Sequence, residues 1–194
     1  MRLTLIACLA LLGCAAAPGP DPRAGLTRAA IDAMEVPFTL VEGPALAGPV
    51  ALVPVGENRG VTTWGDGGGV TVALRDGLLV RTHGLAEDLV FADVRGTAAA
   101  LAGGSATYVR VQDYIDGDGD LRRRAFECRM TAEGAERLVL QGLAVETRRA
   151  REVCSDGETR IANRYWRDAS GRVWQSDQWA GPVAGMLHIE RWSR

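Results

Sequence analysis

Hydrophobic and polar residues alternate along most of the chain, in short runs separated by Gly, Asp and Asn. Alternation with a period of two places successive side chains on opposite faces of an extended strand, and the separating residues are typical of tight turns. The clearest local signal is Asp76-Gly77, which lies between two runs rich in Val and Leu. It predicts a β-hairpin that pairs residues 70–75 with residues 78–82.

The same alternation predicts further strands on both sides of this hairpin. We expect them over 36–42, 50–55, 60–64, 107–115, 121–130, 137–147, 149–154, 159–167, 172–179 and 186–192. About a dozen short antiparallel strands with few helices indicate a mainly β fold, either an antiparallel β-sandwich or a partly closed barrel.

Two short helices are predicted among the strands. The first covers 27–34, with Thr27 as its N-cap. The second covers 93–102, where apolar residues fall on one helical face and a pair of glycines follows. The fold class is therefore mainly β with two short helices.

The first residues form a different pattern, with a basic start, an apolar run over 3–12 and then Gly13 and Cys14. An apolar run of about ten residues is typical of a secretory signal, whereas a membrane-spanning helix needs roughly twenty. The residues that resemble the lipobox of bacterial lipoproteins are Leu11, Leu12, Gly13 and Cys14. We therefore expect a signal peptide over 1–13 and lipidation of Cys14.

Two alternatives remain open for this segment. Cys8 also follows a lipobox-like run, but it would leave an apolar region of about five residues, below the usual seven to fifteen. The other alternative is an ordinary soluble secretory signal cleaved near 15–17. Residues 14–25 are rich in Ala, Pro and Gly, which predicts a flexible stalk before a single β-rich domain over 26–194. Ala15 is not the aspartate associated with inner-membrane retention, so the lipoprotein class implies the periplasmic face of the outer membrane.

Charge and composition exclude two classes of function. The 22 basic and 24 acidic residues nearly balance, so the chain has no overall field that would attract nucleic acid. No lysine occurs, and this excludes lysine nucleophiles and Schiff bases.

The cysteines agree with export. If Cys8 leaves with the signal peptide and Cys14 is acylated, Cys128 and Cys154 remain. In an oxidising periplasm these two are expected to form a disulfide, worth about 3 kcal/mol for a loop of about 25 residues. Metal binding is the weaker alternative, because neither histidine has ligand spacing to a cysteine. No metal site and no cofactor are expected.

Three stretches of the chain, 52–64, 69–89 and 163–179, are similar to the YjbF/GfcB family of lipoproteins, as are the lipobox and the cysteine pair. The resemblance implies an outer-membrane lipoprotein linked to operons for exopolysaccharide or group 4 capsule production. It implies no enzymatic activity, so lipidation of Cys14 is the only residue role that transfers. The partners it implies are the outer membrane, reached through the acyl chains, and either polysaccharide export and assembly proteins or the polysaccharide itself.

Aromatic and arginine side chains in the second half of the chain are candidate glycan contacts, because aromatic rings stack on sugars and arginine forks bind acidic groups. The candidates are Trp166, Trp174, Trp179, Arg122 and Arg124. The competing interpretation places the tryptophans in the core and the arginines on a solvated strand edge. Because Trp174 and Trp179 have opposite parity, one unbroken strand cannot place both on the same face.

Motifs for metal binding and catalysis are weak. The acidic run 116–120 invites a calcium loop ending at Glu127, but an EF-hand needs glycine at its sixth position, where Leu121 stands. An acidic hairpin turn is the preferred interpretation. Neither histidine accompanies a nucleophile motif, whereas a glycosidase with two carboxylates would leave no short signature. We therefore expect a non-catalytic protein that assists polysaccharide production or export, with a carbohydrate-binding module and a glycan hydrolase as alternatives.

Overall fold

The structure is a computed structural model, and it describes residues 21–104 and 106–193. The predicted signal peptide, the lipobox residues and Cys14 lie outside the described residues. Among the residues that are described, no helix combines the length and the apolar character needed to cross a membrane.

The described residues form three short helices and twelve strands. The helices are α1 (Pro22–Gly25), α2 (Arg28–Asp32) and α3 (Arg95–Leu101). The strands are β1 (Thr39–Glu42), β2 (Val50–Asn58), β3 (Val61–Gly65), β4 (Thr71–Arg75), β5 (Leu78–His83), β6 (Asp88–Ala92), β7 (Thr107–Ile115), β8 (Leu121–Leu140), β9 (Leu143–Ser155), β10 (Arg160–Arg167), β11 (Val173–Gly181) and β12 (Gly185–Arg191).

All twelve strands belong to one antiparallel sheet in the order β5-β4-β3-β2-β1-β12-β11-β10-β9-β8-β7-β6. The sheet curls until its two edge strands, β5 and β6, lie side by side, so that the barrel is nearly closed. A bulge in β2 between Pro54 and Gly56 shifts the register with β3, and such bulges bend a strand. The prediction of a mainly β fold with antiparallel strands is confirmed, in its barrel form.

At the boundary between β5 and β6, which we call the seam, side chains bond to the backbone of the two edge strands. Gln178 of β11 accepts a hydrogen bond from the backbone N–H of Leu79 at 2.8 Å and donates one to the carbonyl of Gly77 at 2.8 Å. The hydroxyl of Thr82 accepts from the backbone N–H of Leu89 at 2.9 Å. An unpaired strand edge exposes backbone donors and acceptors. These side chains therefore take the place of some of the backbone hydrogen bonds that β5 and β6 do not form with each other.

The main hydrophobic core fills the barrel. Its best-buried members include Val41, Leu52, Val72, Leu79 and Leu187, each 0% exposed. They come from strands spread around the whole sheet, because alternation sends every second side chain inwards. The core therefore joins both sides of the seam.

A second hydrophobic cluster lies on the other face of β1, because Leu40 and Val41 are neighbours in one strand and point to opposite sides. In this outer cluster α2 contributes Ile31, and the chain end beyond β12 contributes Trp192. A T-shaped contact joins Trp192 to Phe38, with ring centroids 5.5 Å apart. The outer cluster thus packs the N-terminal helices against the barrel wall.

A third, smaller cluster surrounds a disulfide bond. Cys128 and Cys154 are directly opposite each other on β8 and β9, and the structure joins them covalently. Phe126 and Ile161 pack beside them, and all four side chains are buried. The disulfide expected from the sequence is therefore present in the structure, between two residues that face each other in the sheet.

Both predicted helices are present with shorter bounds, as α2 and α3. The Thr27 hydroxyl accepts from the backbone N–H of Ala30 at 3.2 Å, which is the N-cap that the sequence indicates. A further helix, α1, occupies residues 22–25, inside the stretch that the sequence assigns to the stalk.

Several details of the strand prediction are wrong. Residues 131–136, expected to separate two strands, belong to β8. The strand expected over 137–147 is interrupted by a turn at Gln141-Gly142, where φ is 44° and 81°. Gln141 is not a typical turn residue, but its side-chain amide donates to the carbonyls of Arg23 and Leu26, which holds the turn against the N-terminal segment. Strand β6 was not predicted, because the apolar residues at 89–92 are consecutive and do not alternate with polar ones.

Ionic contacts fix the N-terminal segment to the barrel. Arg23 of α1 pairs with Glu42 at 2.9 Å and with Glu190 at 3.3 Å. His188 lies between Glu190 at 3.2 Å and Asp177 at 2.7 Å. Burial by itself lowers the pKa of His188, but its hydrogen bonds to the two carboxylates outweigh burial and raise the pKa to about 9.

We predict that His188→Asn destabilises the protein in a pH-dependent way. The folded state raises the His188 pKa from 6.5 to about 9, so its contribution is complete below pH 6.5 and disappears as the pH rises through 9. Urea denaturation should show a loss of about 3 kcal/mol at pH 6 and a much smaller loss at pH 10, since the pKa is raised from 6.5 to about 9 and one pKa unit corresponds to roughly 1.4 kcal/mol. His83→Asn is the matched control, because the His83 side chain is 73% exposed. Equal losses at both pH values would contradict the prediction.

Candidate functional site

A cleft opens at one end of the barrel, where the turns after β4 and β10 meet the ends of α3 and β12. It consists of two adjoining cavities of about 240 and 560 Å³ that share Asp76, Gly77, Val173 and Arg191 as lining residues. We call the larger one the arginine cavity and the smaller one the carboxylate cavity, after the charged side chains described below.

The turn between β4 and β5 forms the boundary between the two cavities. Asp76 and Gly77 both have positive φ, 52° and 84°, as a two-residue hairpin turn with this twist requires. A Cβ on Gly77 would lie 2.6 Å from the Cβ of Val173, so the turn approaches β11 only because residue 77 is glycine. The Asp-Gly signal in the sequence therefore also shapes the cleft.

The arginine cavity is lined by Arg167 at the end of β10, Arg172 in the turn that follows and Arg191 at the end of β12. The Arg172 guanidinium stacks over Trp174, 5.6 Å from the ring centroid. The Arg191 Nε donates to the carbonyl of Ser193 at 3.2 Å. Within residues 21–104 and 106–193, none of these three arginines forms an ion pair with a carboxylate.

Desolvation acts on two of the three arginines. Burial lowers the pKa of Arg167, although the adjacent Asp168 opposes the shift. Burial and the positive charge of Arg172 both lower the pKa of Arg191. Arginine stays protonated in proteins, so all three side chains bring positive charge to the cavity, where Asp76 is the acidic lining residue.

The carboxylate cavity has a different chemistry. Glu57 and Asp76 line it, together with the hydroxyl group of Thr62 and the rings of Trp64 and Trp174. Carboxylates and hydroxyls exchange hydrogen bonds with sugar hydroxyl groups, and indole rings provide apolar surface for sugar faces. The cleft as a whole therefore joins a cationic half to a polar half.

The structure does not bring the predicted glycan-contact tryptophans to one surface. The indole N–H groups of Trp166 and Trp174 donate to Glu136 at 3.0 Å and to Asp168 at 2.8 Å, and both rings belong to the outer cluster. Trp179 packs instead against the disulfide cluster. Trp174 also lines the carboxylate cavity, so this one member of the set lies at the cleft.

The predicted arginine contacts are engaged with acidic side chains. Arg122 pairs with Asp116 at 2.7 Å, and Arg124 donates to Asp156 at 2.7 Å. Asp116 also accepts the backbone N–H groups of Asp118 and Asp120 at 3.1 and 3.0 Å. The acidic run 116–120 is thus a hairpin turn held by Asp116, which was the preferred interpretation.

Sequence reasoning missed the arginine cavity. Its three arginines stand at 167, 172 and 191, without a motif or a common local period. They meet because β10, β11 and β12 are neighbours in the sheet and these three residues lie at the same end. The signal is in the strand order, which a single sequence does not reveal.

A separate buried cluster ties α3 to the barrel wall. Arg110 and Glu152 are both 0% exposed and form an ion pair at 2.9 Å. Glu152 also accepts hydrogen bonds from Thr97 of α3 at 2.7 Å, from Tyr165 at 2.9 Å and from Asn163 at 2.5 Å. Burial raises the pKa of Glu152, but Arg110 and the hydrogen-bond donors outweigh it, so the pKa is lowered and the group is ionised.

Glu152 also lies next to the two disulfide cysteines, a grouping of residue types that can bind a metal ion. The carboxylate of Glu152 lies within 4.8 Å of the sulfur atoms of Cys128 and Cys154. Both sulfur atoms are used in the disulfide, and a disulfide lacks the thiolates that bind metals. The Glu152 oxygens accept hydrogen bonds instead, which makes the cluster a support for α3.

The fold and the cleft define a class, an antiparallel barrel with a filled interior and a charged cleft at one end, and comparison with known proteins supplies the family. The model of the YjbF family, described as group 4 capsule polysaccharide lipoprotein gfcB, YjbF, matches residues 9–191. The chain therefore belongs to the YjbF family of group 4 capsule polysaccharide lipoproteins, as its sequence motifs indicate.

A solved structure supports the fold. The crystal structure of the hypothetical lipoprotein YmcC from Escherichia coli (K12) is similar, with a TM-score of 0.75 and 18% sequence identity. The similarity covers 87% of this chain and 89% of that chain. A comparison with curated protein sequences finds no match.

We predict that Glu152→Ala lowers the free energy of unfolding by about 3–5 kcal/mol, because it leaves the Arg110 charge buried without a partner. Glu152→Gln, which keeps the hydrogen-bond acceptor but not the charge, should lose less. Chemical denaturation measures both. The matched control is Arg95→Ala, which breaks an ion pair with Asp93 whose arginine is 88% exposed, and it should change stability far less. A Glu152→Ala loss no larger than that of the control would contradict the prediction.

Proposed function

We propose that the protein is a non-catalytic lipoprotein, anchored by acyl chains on Cys14 to the periplasmic face of the outer membrane, that assists production or export of an exopolysaccharide or capsule. The observation that carries the proposal is the match to the capsule lipoprotein family over residues 9–191, which includes Cys14 as well as the barrel. The proposed organisation is a signal peptide over 1–13, a lipidated stalk that begins at Cys14 and one β-rich domain.

The proposed anchor would hold the barrel close to the membrane. Two or more acyl chains give stable attachment, whereas one chain alone binds only marginally. Residues 14–20 span at most about 25 Å when fully extended. Arg23, near the start of the described residues, forms ion pairs with Glu42 and Glu190 of the barrel, so the free tether would be short.

The N-terminal segment attaches at the same end of the barrel as the cleft. Arg28 donates to the carbonyl of Trp192 at 2.9 Å, and the backbone N–H of Phe38 donates to the Ser193 hydroxyl at 3.2 Å. Trp192 and Ser193 directly follow Arg191, which lines both cavities. An anchor on Cys14 would therefore keep the cleft near the membrane surface, where a polymer in transit would pass.

A carbohydrate-binding module is the second candidate, and the observation that favours it is the cleft itself. A glycan hydrolase is the third candidate. It requires two carboxyl groups in one cleft, roughly 5 to 10 Å apart, and Glu57 and Asp76 both line the carboxylate cavity. A shortened polymer after incubation with the purified protein would favour the hydrolase over the other two.

The proposal predicts that a Cys14→Ala variant fails to restore polymer in a strain that lacks the gene. The wild-type protein should fractionate with outer membranes and restore the amount of polymer in cells and medium. The Cys14→Ala protein should lack the acyl chains, leave the membrane fraction and give little polymer. Immunoblots of membrane fractions and polymer quantification measure the two effects.

Cys8→Ala is the matched control for this experiment, because Cys8 lies inside the proposed signal peptide and should be removed with it. This variant should behave like the wild type. Cys14→Ala protein that still sediments with outer membranes would contradict the anchor. Unchanged polymer in the deletion strain would contradict the role in polysaccharide production.

A further inference from the structure

We propose that the cleft binds an acidic saccharide segment, with the acidic group of one sugar held by Arg167, Arg172 and Arg191 and a neutral neighbouring sugar in the carboxylate cavity. The inference rests on the proposed function for its ligand class, and it assigns that function a binding site.

Arg167 and Arg191 are partly buried cations, and burial lowers the pKa of both. Fully buried Arg110 has a carboxylate partner, Glu152, at 2.9 Å, whereas Arg81 and Arg160, which form no ion pair within the described residues, are exposed to solvent. The three arginines of the cleft converge on one cavity without such partners. Because partly desolvated cations lose hydration without gaining a counter-ion, an anion that enters the cavity supplies the missing interaction.

Arginine also fits the shape of the ligand that we infer. The planar guanidinium presents parallel N–H donors that match the two oxygens of a carboxylate. Both guanidinium groups line the same cavity, and the charge of Arg172 adds to the burial that lowers the pKa of Arg191, so the two cations repel each other. A carboxylate or a phosphate placed between them removes this repulsion.

The arginines are held in place before any ligand arrives. Arg172 stacks on Trp174, whose indole N–H is fixed by Asp168 at 2.8 Å. Arg167 donates to the carbonyl of Leu101 at the end of α3. A guanidinium carries five N–H donors, so one such contact leaves most of them for a ligand. Side chains that are ordered in advance lose less entropy on binding, which favours affinity.

The two cavities discriminate between a saccharide and a small anion. The arginine cavity, at about 560 Å³, lies within the usual range of small-molecule sites, roughly 300 to 1,000 Å³. Glu57 in the adjoining cavity and Asp76 at the boundary between the two cavities repel an anion there but accept hydrogen bonds from neutral hydroxyl groups. An inorganic anion would use the first cavity alone, whereas an acidic sugar linked to a neutral one would use both.

The test is isothermal titration calorimetry with the full mature protein in detergent. The probes are galacturonate and glucuronate oligosaccharides that contain neutral sugars, neutral oligosaccharides of the same length, and inorganic phosphate. We expect saturable binding of at least one acidic oligosaccharide, with affinity that falls as salt is added. We expect at least tenfold weaker binding of phosphate and of the neutral oligosaccharides.

Variants tie the binding to the cleft. Arg172→Gln/Arg191→Gln should weaken binding of the acidic oligosaccharide at least tenfold while the thermal melting curve stays cooperative. Arg122→Gln/Arg123→Gln removes the same number of charges from exposed ion pairs elsewhere and should bind like the wild type. Arg172→Lys keeps the positive charge but not the paired N–H donors of the guanidinium, and it should retain part of the affinity.

Four outcomes would overturn the inference. They are no binding of any acidic oligosaccharide, equal binding of neutral oligosaccharides, equal binding of phosphate, and unchanged affinity in Arg172→Gln/Arg191→Gln. A failure of the proposed function is distinguishable, because normal polymer output in the deletion strain leaves this binding measurement unaffected.

Discussion

Closure of the sheet across the seam is the constraint on which the rest of the structure depends. A sheet of twelve strands has two edge strands. Here the edge strands β5 and β6 lie side by side, but they are not paired by a ladder of backbone hydrogen bonds. Gln178 reaches from β11 to the backbone of Gly77 and Leu79, and Thr82 reaches Leu89. Side chains can close an edge only at fixed points, so the barrel remains less regular here than elsewhere.

The cleft is a consequence of this closure. The β4–β5 turn, which Gln178 fixes at its Gly77 end, forms one wall, and α3, which connects β6 to β7, forms another. α3 is tied to the interior through Thr97 and Glu152. The Gln178 contact at the seam and the Thr97–Glu152 contact of α3 therefore fix the two walls, and the arginines at the ends of β10 and β12 line the space between them.

The sequence predicts the fold class because alternation, Asp-Gly turns and capping residues are local signals. Thr27 caps α2 as expected, and Asp76-Gly77 forms the expected hairpin. It does not predict the turn at Gln141, which depends on carbonyl groups more than a hundred residues away. The arginine cavity is unpredictable for the same reason, since only the neighbourhood of β10, β11 and β12 brings Arg167, Arg172 and Arg191 together.

The most direct test of the account is photo-crosslinking in cells that make the polymer, with a photoreactive residue in place of Ser170 at the arginine cavity. A second position, Glu158, serves as the control, because its side chain is 91% exposed and it lies before β10, at the opposite end of that strand. The account predicts an adduct that carries acidic polysaccharide at position 170 and none at position 158. Equal adducts at both positions, or no polysaccharide adduct at position 170, would contradict it.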